Sequence, residues 1–355
     1  MTSRLHQLRE QYASLNIDAF LVTFQPHLRY LSGFSGSSGI GLVTPRSAFL
    51  ITDSRYTDQV RQETRRWKCY ISKNGLFEEL RARRLIPASM RIGFDGNTVV
   101  LSQYRLLKKL LPRAAFLPKV DCIEKLAAVK DPLEIASIRR AVSISDRVFG
   151  EIIALIKPGI TELDVAAEIS YRQKRLGAEG DAFETIVASG ERSALPHGRA
   201  SSKKLERGDL VTLDFGCVVN GYHSDMTRTI VLGRPKAEVK KIYTTVLEAQ
   251  EKAIGAATSG MRTCDLDAVA RTHISRCGYE AFFRHSLGHG LGLQIHEAPR
   301  ISVRSTATLQ AGNVITIEPG IYLPRLGGVR IEDDIVVTND GCEVLNRSTK
   351  ELLVV

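Results

Sequence analysis

The sequence predicts an α/β domain at the N-terminal end, followed by a larger α+β domain that contains an internal duplication. Three observations predict this arrangement. The segment GDLVTLDFG (208–216) has the same outline as GNVITIEPG (312–320). The stretch GITELDVAAEISYRQKRLG is echoed at nearly the same spacing by GMRTCDLDAVARTHISRCG, as expected for a repeated unit. Residues 1–120 show no such repeat and instead alternate helix-like with strand-like segments.

Short-range patterns predict the elements of the first domain. Apolar residues at helical spacing indicate helices, and short apolar runs are typical of buried strands. We expect helices at 5–15 and 101–111, strands at 19–23 and 48–52, and exposed helical faces at 61–66 and 78–84. The glycine-rich segment YLSGFSGSSGIGLVT lacks the Lys-Ser/Thr of a phosphate-binding loop and the order of a dinucleotide fingerprint. Its glycines are therefore interpreted as turn and close-packing residues.

The second domain opens with strong helix signals. Asp131-Pro132 starts a long amphipathic helix that is predicted to continue to Lys157, before Pro158-Gly159. In the next helix, Thr161 is the N-cap and Asp164 completes a capping box. The change of pattern around residues 119–131 predicts two domains, at 1–124 and 132–355.

A hairpin is predicted at Asn220-Gly221, because both residues tolerate the positive φ angles of a type I′ turn. Regular pairing then places Gly216 opposite Asp225. Asp214 and Asp225 would lie diagonally on the same face of the sheet.

The second copy repeats this pattern with Glu318 and Glu332, so four carboxylates are expected to converge on a pseudo-twofold axis. Such crowded like charges repel, and one carboxyl would stay protonated unless a cation lies between them. His289 stands between glycines in LGHGLG, where backbone can approach a ligand closely. Four carboxylates and one imidazole suit two divalent ions such as manganese or cobalt, with zinc or iron as alternatives. His223, His273 and His285 are interpreted as structural.

Composition places the chain among ordinary globular proteins, with 43% hydrophobic and 25% charged residues in 355. The six cysteines show no Cys-x-x-Cys spacing, which predicts reduced thiols and a cytoplasmic location. No apolar run is long enough for a membrane span, and the sequence begins without a secretory signal pattern. Residues 1–120 carry 19 Lys and Arg against 8 Asp and Glu, a net charge of +11, so the basic excess of the chain lies wholly in this part. We favour a solvated basic surface over a nucleic-acid interface, because no recognised nucleic-acid motif accompanies the charge.

Seven motifs occur in order through the second domain: PHG, LDFG, SDMTRT, HSLGHGLGL, IHE, IEPG and VRIEDD. Together they resemble the superfamily of methionine aminopeptidase, prolidase and aminopeptidase P, which has the pita-bread fold. Upstream, YLSGFSGSSG and ITDSRY look like the N-terminal domain of the proline-specific (creatinase/prolidase-like) branch. The resemblance thus extends, more loosely, to nearly the whole chain.

The resemblance implies a role for each matching residue. It implies that Asp214 binds one metal, that His289 and Glu318 bind the other, and that Asp225 and Glu332 bridge both. His197 and His296 match the two histidines that line the substrate cleft and act in catalysis, and Glu318 is expected to relay a proton. Arg300 and Arg330 are expected to meet a substrate carboxylate.

The implied function is hydrolysis of the bond between a first residue and proline. FSGSSG and TDSRY favour an Xaa-Pro aminopeptidase with tolerance of longer peptides, whereas Arg300 and Arg330 favour the alternative, an Xaa-Pro dipeptidase (prolidase). A non-enzymatic binding protein on the same scaffold is a third, less favoured hypothesis. The expected partners are a proline-containing peptide and a second copy of the chain, with no membrane and no nucleic acid.

Overall fold

The computed structural model describes residues 3–355, and the chain separates into two compact units, the second of which is Ala128–Val355. The elements of the first unit are α1 (Arg4–Glu10), α2 (Tyr12–Leu15), β1 (Ala19–Val22), α3 (Gln25–Ser32), β2 (Ile40–Val43), β3 (Ala48–Asp53), α4 (Thr57–Glu63), β4 (Lys68–Ser72), α5 (Leu76–Ala82), β5 (Arg91–Asp95), α6 (Leu101–Leu110) and β6 (Ala115–Lys119). Helix α7 (Glu124–Ala128) lies at the division.

The first unit is built on one mixed sheet with the strand order β4-β3-β2-β1-β5-β6. Strand β2 pairs antiparallel with both β1 and β3, and the remaining pairings are parallel. The α/β prediction is therefore confirmed. In β2, a Cβ on Gly41 would lie 2.9 Å from Leu28 Cδ1, which supports the interpretation of this glycine as a close-packing residue.

Two predicted helices of this unit differ in detail. The segment 5–15 forms two helices, because the chain turns at Gln11. The helix expected at 61–66 instead spans Thr57–Glu63. Its buried residue is Val60, and it ends at Glu63 because the backbone of Thr64 is already extended before the next strand. The sequence did not determine which residues of this helix face the core, because most of them are polar and exposed.

The second unit contains four long helices and short strands. Its elements are α8 (Pro132–Ile153), α9 (Glu162–Arg175), β7 (Gly180–Asp181), β8 (Ile186–Ser189), β9 (Leu210–Phe215), β10 (Cys217–Val219), β11 (Tyr222–His223), β12 (Met226–Val231), α10 (Ala237–Ala256), α11 (Thr263–Arg276), β13 (Gly288–Gly290), β14 (Glu297–Ile301), β15 (Val314–Ile317), β16 (Gly320–Leu323), β17 (Gly327–Arg330), β18 (Asp333–Val337) and β19 (Cys342–Val344).

The helix signals are largely confirmed. Asp131 caps α8 through the backbone N–H groups of Leu133 and Glu134. Thr161 and Asp164 form the predicted capping box of α9. Helix α8 ends at Ile153, slightly before the predicted Lys157.

The duplication is visible in the sheets. In the first half, β8, β9 and β12 form an antiparallel sheet with β9 in the middle. In the second half, β13, β15 and β18 are arranged in the same way around β15. The helix pairs α8/α9 and α10/α11 repeat as well.

Each half has its own apolar core. One core joins α8 and α9 to β9 and β12, and the other joins α10 and α11 to β15 and β18. The two halves meet where β12 runs beside residues 330–334. There, Arg228 is buried and its Nη2 donates to Asp333 Oδ1 at 2.7 Å. The three-stranded sheet of the first half and the five-stranded sheet of the second half, with the order β14-β13-β15-β18-β19, are thereby brought together.

Two global features complete the description. Across residues 3–355, no helix combines the length and the apolar character needed to cross a membrane. All six cysteines lie in this range, and each is a free thiol.

Candidate metal centre and substrate cleft

The first two carboxylates come from a single hairpin. Asn220 and Gly221 have φ angles of 52° and 79°, which confirms the type I′ turn. Val219 faces Tyr222, and Asp214 faces Thr227.

The register is continuous from the turn into β9 and β12, because Ser224 N donates to the Cys217 carbonyl at 3.0 Å. Asp214 and Asp225 therefore lie diagonally on one face, as the alternation of side chains requires. Both side chains are buried.

The second half supplies Glu318 and Glu332. Glu318 follows β15, and its backbone N–H donates to the Leu287 carbonyl at 2.8 Å. Glu332 precedes β18, and its N–H donates to Thr227 O at 3.1 Å. Because Thr227 belongs to β12, this last bond ties the carboxylates of the two halves together.

His289 completes the cluster from β13. Its Nδ1 lies 3.1 Å from the Gly290 carbonyl oxygen, which only accepts, so Nδ1 carries the hydrogen. The lone pair of Nε2 therefore points towards Asp225 Oδ2 and Glu318 Oε1, each 3.6 Å away. Burial lowers the pKa of His289 to about 4, so the ring is neutral and suited to ligation.

Electrostatics at the cluster is strongly unfavourable for bare carboxylates. Burial, followed by the charge of Glu332, raises the pKa values of Asp225 and Glu318 well above their usual range. Burial, followed by the charge of Asp214, raises the pKa of Glu332 to about 8. A bound cation would relieve both causes, since it compensates the buried charge and the repulsion between the carboxylates.

The residues present fit divalent metal ions. Ligand atoms of Asp225, His289 and Glu332 lie within 4.8 Å of one another. The Oδ1 atoms of Asp214 and Asp225 are buried and have no hydrogen-bond partner among the described residues. Buried oxygens without a donor are costly, and an oxygen-rich set with one imidazole is a typical environment for such ions.

Arg330 is placed differently from the sequence-based expectation. Its guanidinium is buried, and Nη2 donates to Asp214 Oδ2 at 2.5 Å. Nη1 donates to the Tyr322 hydroxyl and to the Pro196 carbonyl, and Nε donates to Thr227 Oγ1. Each of its three guanidinium nitrogens therefore donates to a protein acceptor. This geometry favours a role in orienting Asp214 over direct contact with a substrate carboxylate.

Several supporting residues were not expected from the sequence. Thr227 Oγ1 donates to Glu332 Oε2 at 2.6 Å, and Asp334 Oδ2 accepts from the backbone N–H of Asp225 at 2.9 Å. The sequence does indicate Thr227, because it is two residues from Asp225 and its side chain therefore lies on the same face of the strand. Asp334 carries the same signal, because it is two residues from Glu332. Tyr322 lies eight residues from its partner Arg330, across the β16–β17 hairpin.

The cluster lines the inner wall of a cleft of about 610 Å³. The outer wall contains His197, His296 and Arg300, which are all exposed. The ring of His296 packs edge-on against that of His289, with centroids 4.4 Å apart. The structure thus brings together all nine residues singled out from the sequence: Asp214, Asp225, His289, Glu318, Glu332, His197, His296, Arg300 and Arg330.

The three histidines that were interpreted as structural have different surroundings. His285 also lines the cleft, and its Nε2 lies 2.9 Å from the Tyr322 hydroxyl, so a purely structural interpretation is incomplete. Burial lowers the pKa of His285 to about 3. His223 bonds the Gly292 carbonyl, and His273 pairs with Glu248 on the helix surface. Neither of these two lines the cleft.

Two family models match the chain. Residues 136–339 match the model described as metallopeptidase family M24, and residues 4–129 match the creatinase/prolidase N-terminal domain. An Xaa-Pro dipeptidase from Pyrococcus horikoshii is 40% identical and aligns over 99% of both chains.

Solved structures are similar over the full length. An Xaa-Pro dipeptidase from Bacillus anthracis has a TM-score of 0.96 and 40% identity, covering 99% of both chains. An X-Pro aminopeptidase from Thermotoga maritima has a TM-score of 0.90 and 42% identity, covering 98% of this chain and 100% of the other. The predicted two-domain architecture with a pita-bread second domain is confirmed.

Proposed function

The chain belongs to metallopeptidase family M24, and on this basis we propose that it hydrolyses the bond between the first residue and proline in Xaa-Pro dipeptides. It is a metallo-exopeptidase. The observation that carries the proposal is the cluster of four carboxylates and His289 at the wall of a cleft that also contains Arg300. Sequence analysis favoured the aminopeptidase, but the relatives support the dipeptidase better.

Two divalent cations are held by five side chains in this proposal. Asp214 would hold one of them, His289 and Glu318 would hold the other, and Asp225 and Glu332 would be shared between both. Manganese is the preferred metal, with cobalt and zinc as alternatives, because oxygen ligands dominate the set. When bound, these ions polarise the substrate carbonyl and supply a water nucleophile that is active near neutral pH.

The remaining residues orient the substrate and move its protons. His197 and His296 donate hydrogen bonds towards the oxygen of the scissile carbonyl, where negative charge develops during attack. Glu318 takes the proton that the attacking water loses and delivers it to the proline nitrogen. Cleavage requires that proton, because the proline nitrogen leaves as a neutral amine and not as an amide anion.

Arg300 is proposed to select the length of the substrate. It lines the cleft, is exposed, and makes no side-chain hydrogen bond within the described part of the chain. A guanidinium in this state is available to bind the carboxylate that ends a dipeptide. The Xaa-Pro aminopeptidase remains the second candidate function, because the Thermotoga maritima enzyme is similar in sequence and fold.

The test compares kcat/KM for Xaa-Pro, Xaa-Pro amide and Xaa-Pro-Xaa with manganese-loaded protein. We expect Xaa-Pro to be cleaved best. Arg300→Met should raise KM for Xaa-Pro by about 10-fold or more, because a charge-assisted hydrogen bond contributes about 1.5–3 kcal/mol. The same variant should leave Xaa-Pro amide nearly unaffected.

Arg304→Met is the matched control, since Arg304 is exposed and does not line the cleft. Efficient cleavage of Xaa-Pro-Xaa with no cleavage of Xaa-Pro would replace the dipeptidase by the aminopeptidase. An absence of any peptidase activity with manganese, cobalt or zinc would refute both.

A further inference from the structure

A carboxylate outside the cleft holds the segment that carries His197. Glu162, the first residue of α9, is fully buried. Its Oε1 accepts from the N–H and the hydroxyl of Ser189, both at 2.8 Å. Its Oε2 accepts from the N–H and the hydroxyl of Ser201, at 3.0 and 2.6 Å. Arg192 Nε also donates to Oε2, at 3.1 Å.

These donors lie at the two ends of one loop. Ser189 is the last residue of β8, and Ser201 follows the residues that contain His197. Within the loop, Arg192 Nη2 donates to the Arg199 carbonyl at 2.6 Å, which links two parts of the same segment. The carboxylate of Glu162 therefore accepts hydrogen bonds from the residues at both ends of the segment 190–200. Through Arg192 it is also connected to the hydrogen bond that links residues 192 and 199 within the segment.

The position of His197 depends on this backbone. The His197 side chain is exposed and makes no hydrogen bond within residues 3–355. Its neighbour Pro196 is tied through its carbonyl to Arg330 Nη1 at 3.1 Å. Since nothing holds the imidazole directly, its place in the cleft follows from the anchored loop.

We propose that Glu162 is a positioning residue for the hydrolysis reaction, acting through His197. This inference rests on the proposed function, in which His197 faces the scissile carbonyl. A displacement of about 1 Å in a catalytic group costs as much as 10²-fold in rate. Loosening the loop therefore reduces kcat even when the metal ligands stay in place.

The second half contains an analogous arrangement. Asp267, on the equivalent helix α11, is fully buried and accepts from Arg271 Nε at 2.7 Å and from the Leu287 N–H at 3.1 Å. Arg271 in turn donates to the carbonyls of Phe283 and His285. In each half, a buried carboxylate on the second helix of the pair, Glu162 on α9 and Asp267 on α11, thus holds a segment that contributes histidine to the cleft.

The experiment is a double-mutant cycle between Glu162→Gln and His197→Ala. In the wild-type background, Glu162→Gln should lower kcat for Xaa-Pro by about 10-fold to 10²-fold, with a smaller change in KM and unchanged metal content. In the His197→Ala background, the same substitution should change kcat by less than about 2-fold, because residues that act as a unit are not additive. An equal fall in both backgrounds overturns the proposal, as does loss of metal together with rate.

Two further variants keep the result interpretable. Asp164→Asn is the matched control, because Asp164 lies in the same first turn but is exposed and bonds only Thr161. Ser201→Ala removes one donor to Glu162 and should reproduce the pattern more weakly if Glu162→Gln does not fold.

Hydrogen exchange separates this inference from the proposed function. Amides in 190–201 should exchange faster in Glu162→Gln than in the wild type or in Asp164→Asn, with or without substrate turnover. Unchanged exchange in this segment overturns the proposal. A wild-type enzyme that is inactive on every Xaa-Pro peptide refutes the proposed function instead, and the exchange result then decides whether Glu162 anchors the loop.

Discussion

At the scale of single residues, charge compensation controls the centre. Two unit charges 4 Å apart interact by about 4 kcal/mol at an effective dielectric constant of about 20, whereas a hydrogen bond to a charged group contributes about 1.5–3 kcal/mol. The bonds from Thr227 to Glu332 and from Arg330 to Asp214 therefore relieve only part of the repulsion among the four carboxylates. The remaining repulsion is relieved either by protonation of a carboxyl or by bound cations, as the raised pKa values of Asp225, Glu318 and Glu332 indicate.

Glu332→Gln is expected to lose metal and activity together. The amide lacks the negative charge and one of the two oxygens that a bridging ligand supplies, while the other carboxylates stay crowded. Metal content per chain after dialysis, and kcat at saturating metal, measure the two effects. Asp340→Asn is the control, because Asp340 is an exposed carboxylate on the turn after β18. Full metal occupancy with normal turnover in Glu332→Gln would contradict the bridging role.

At the scale of elements, the close approach of two strands determines the spacing of the carboxylates. A Cβ on Gly216 would lie 1.7 Å from the carbonyl oxygen of Ser224, the residue before Asp225. In the second half, a Cβ on Gly288 would lie 1.9 Å from the Thr316 carbonyl oxygen. Gly216 lies opposite Asp225 and Gly288 precedes His289, so in both halves a glycine beside a proposed ligand permits the close backbone contact between the strands.

Gly216→Ala should therefore damage the site through the backbone. The added methyl group must push β10 away from Ser224, which moves Asp225 relative to Asp214. We expect a loss of about 1–3 kcal/mol in the free energy of unfolding and weaker metal binding. Chemical denaturation and metal titration measure these changes.

The matched control for this substitution is Gly150→Ala. Gly150 lies on the exposed side of α8 with no atom within 4 Å of the added Cβ. Alanine there should stabilise the protein by up to about 1 kcal/mol. A Gly216→Ala variant with unchanged free energy of unfolding and unchanged metal affinity would contradict this prediction, because the strands could then move apart without affecting either quantity.

At the scale of the whole molecule, charge is unevenly distributed along the chain. The basic excess belongs to residues 1–120, whereas residues 121–355 contain 30 Lys and Arg against 31 Asp and Glu. The basic residues Arg55, Arg61 and Lys68 are exposed, so salt screens them effectively.

Peptidase activity should accordingly depend only weakly on ionic strength. Between about 0.01 and 0.15 M salt the Debye length falls from about 30 to about 8 Å. Over this range kcat/KM for Xaa-Pro, at constant free metal, should change well below the 10-fold or more that strong electrostatic steering produces. A steep decrease would instead assign the basic residues a part in substrate capture.

Much of the fold and of the site is predictable from local sequence. The Asn220-Gly221 turn and the alternation of side chains predict the register that places Asp214 and Asp225 on one face, and the structure has this register. The repeated outline around Glu318 predicts the second half of the centre. Helix phase at 57–63 was missed, because few buried residues mark it.

The sequence by itself determined the duplication, the hairpin and the set of candidate ligands, since each can be recognised from short motifs and from their repetition along the chain. Only the tertiary structure decided the roles of the buried charged residues around the cluster, such as Arg330 and Glu162. Arg330 reaches Asp214 and Glu162 reaches Ser201 across long separations in sequence, and both side chains are buried there. A buried charge takes its role from the partners that surround it, and those partners are brought together only when the two halves and their helices pack.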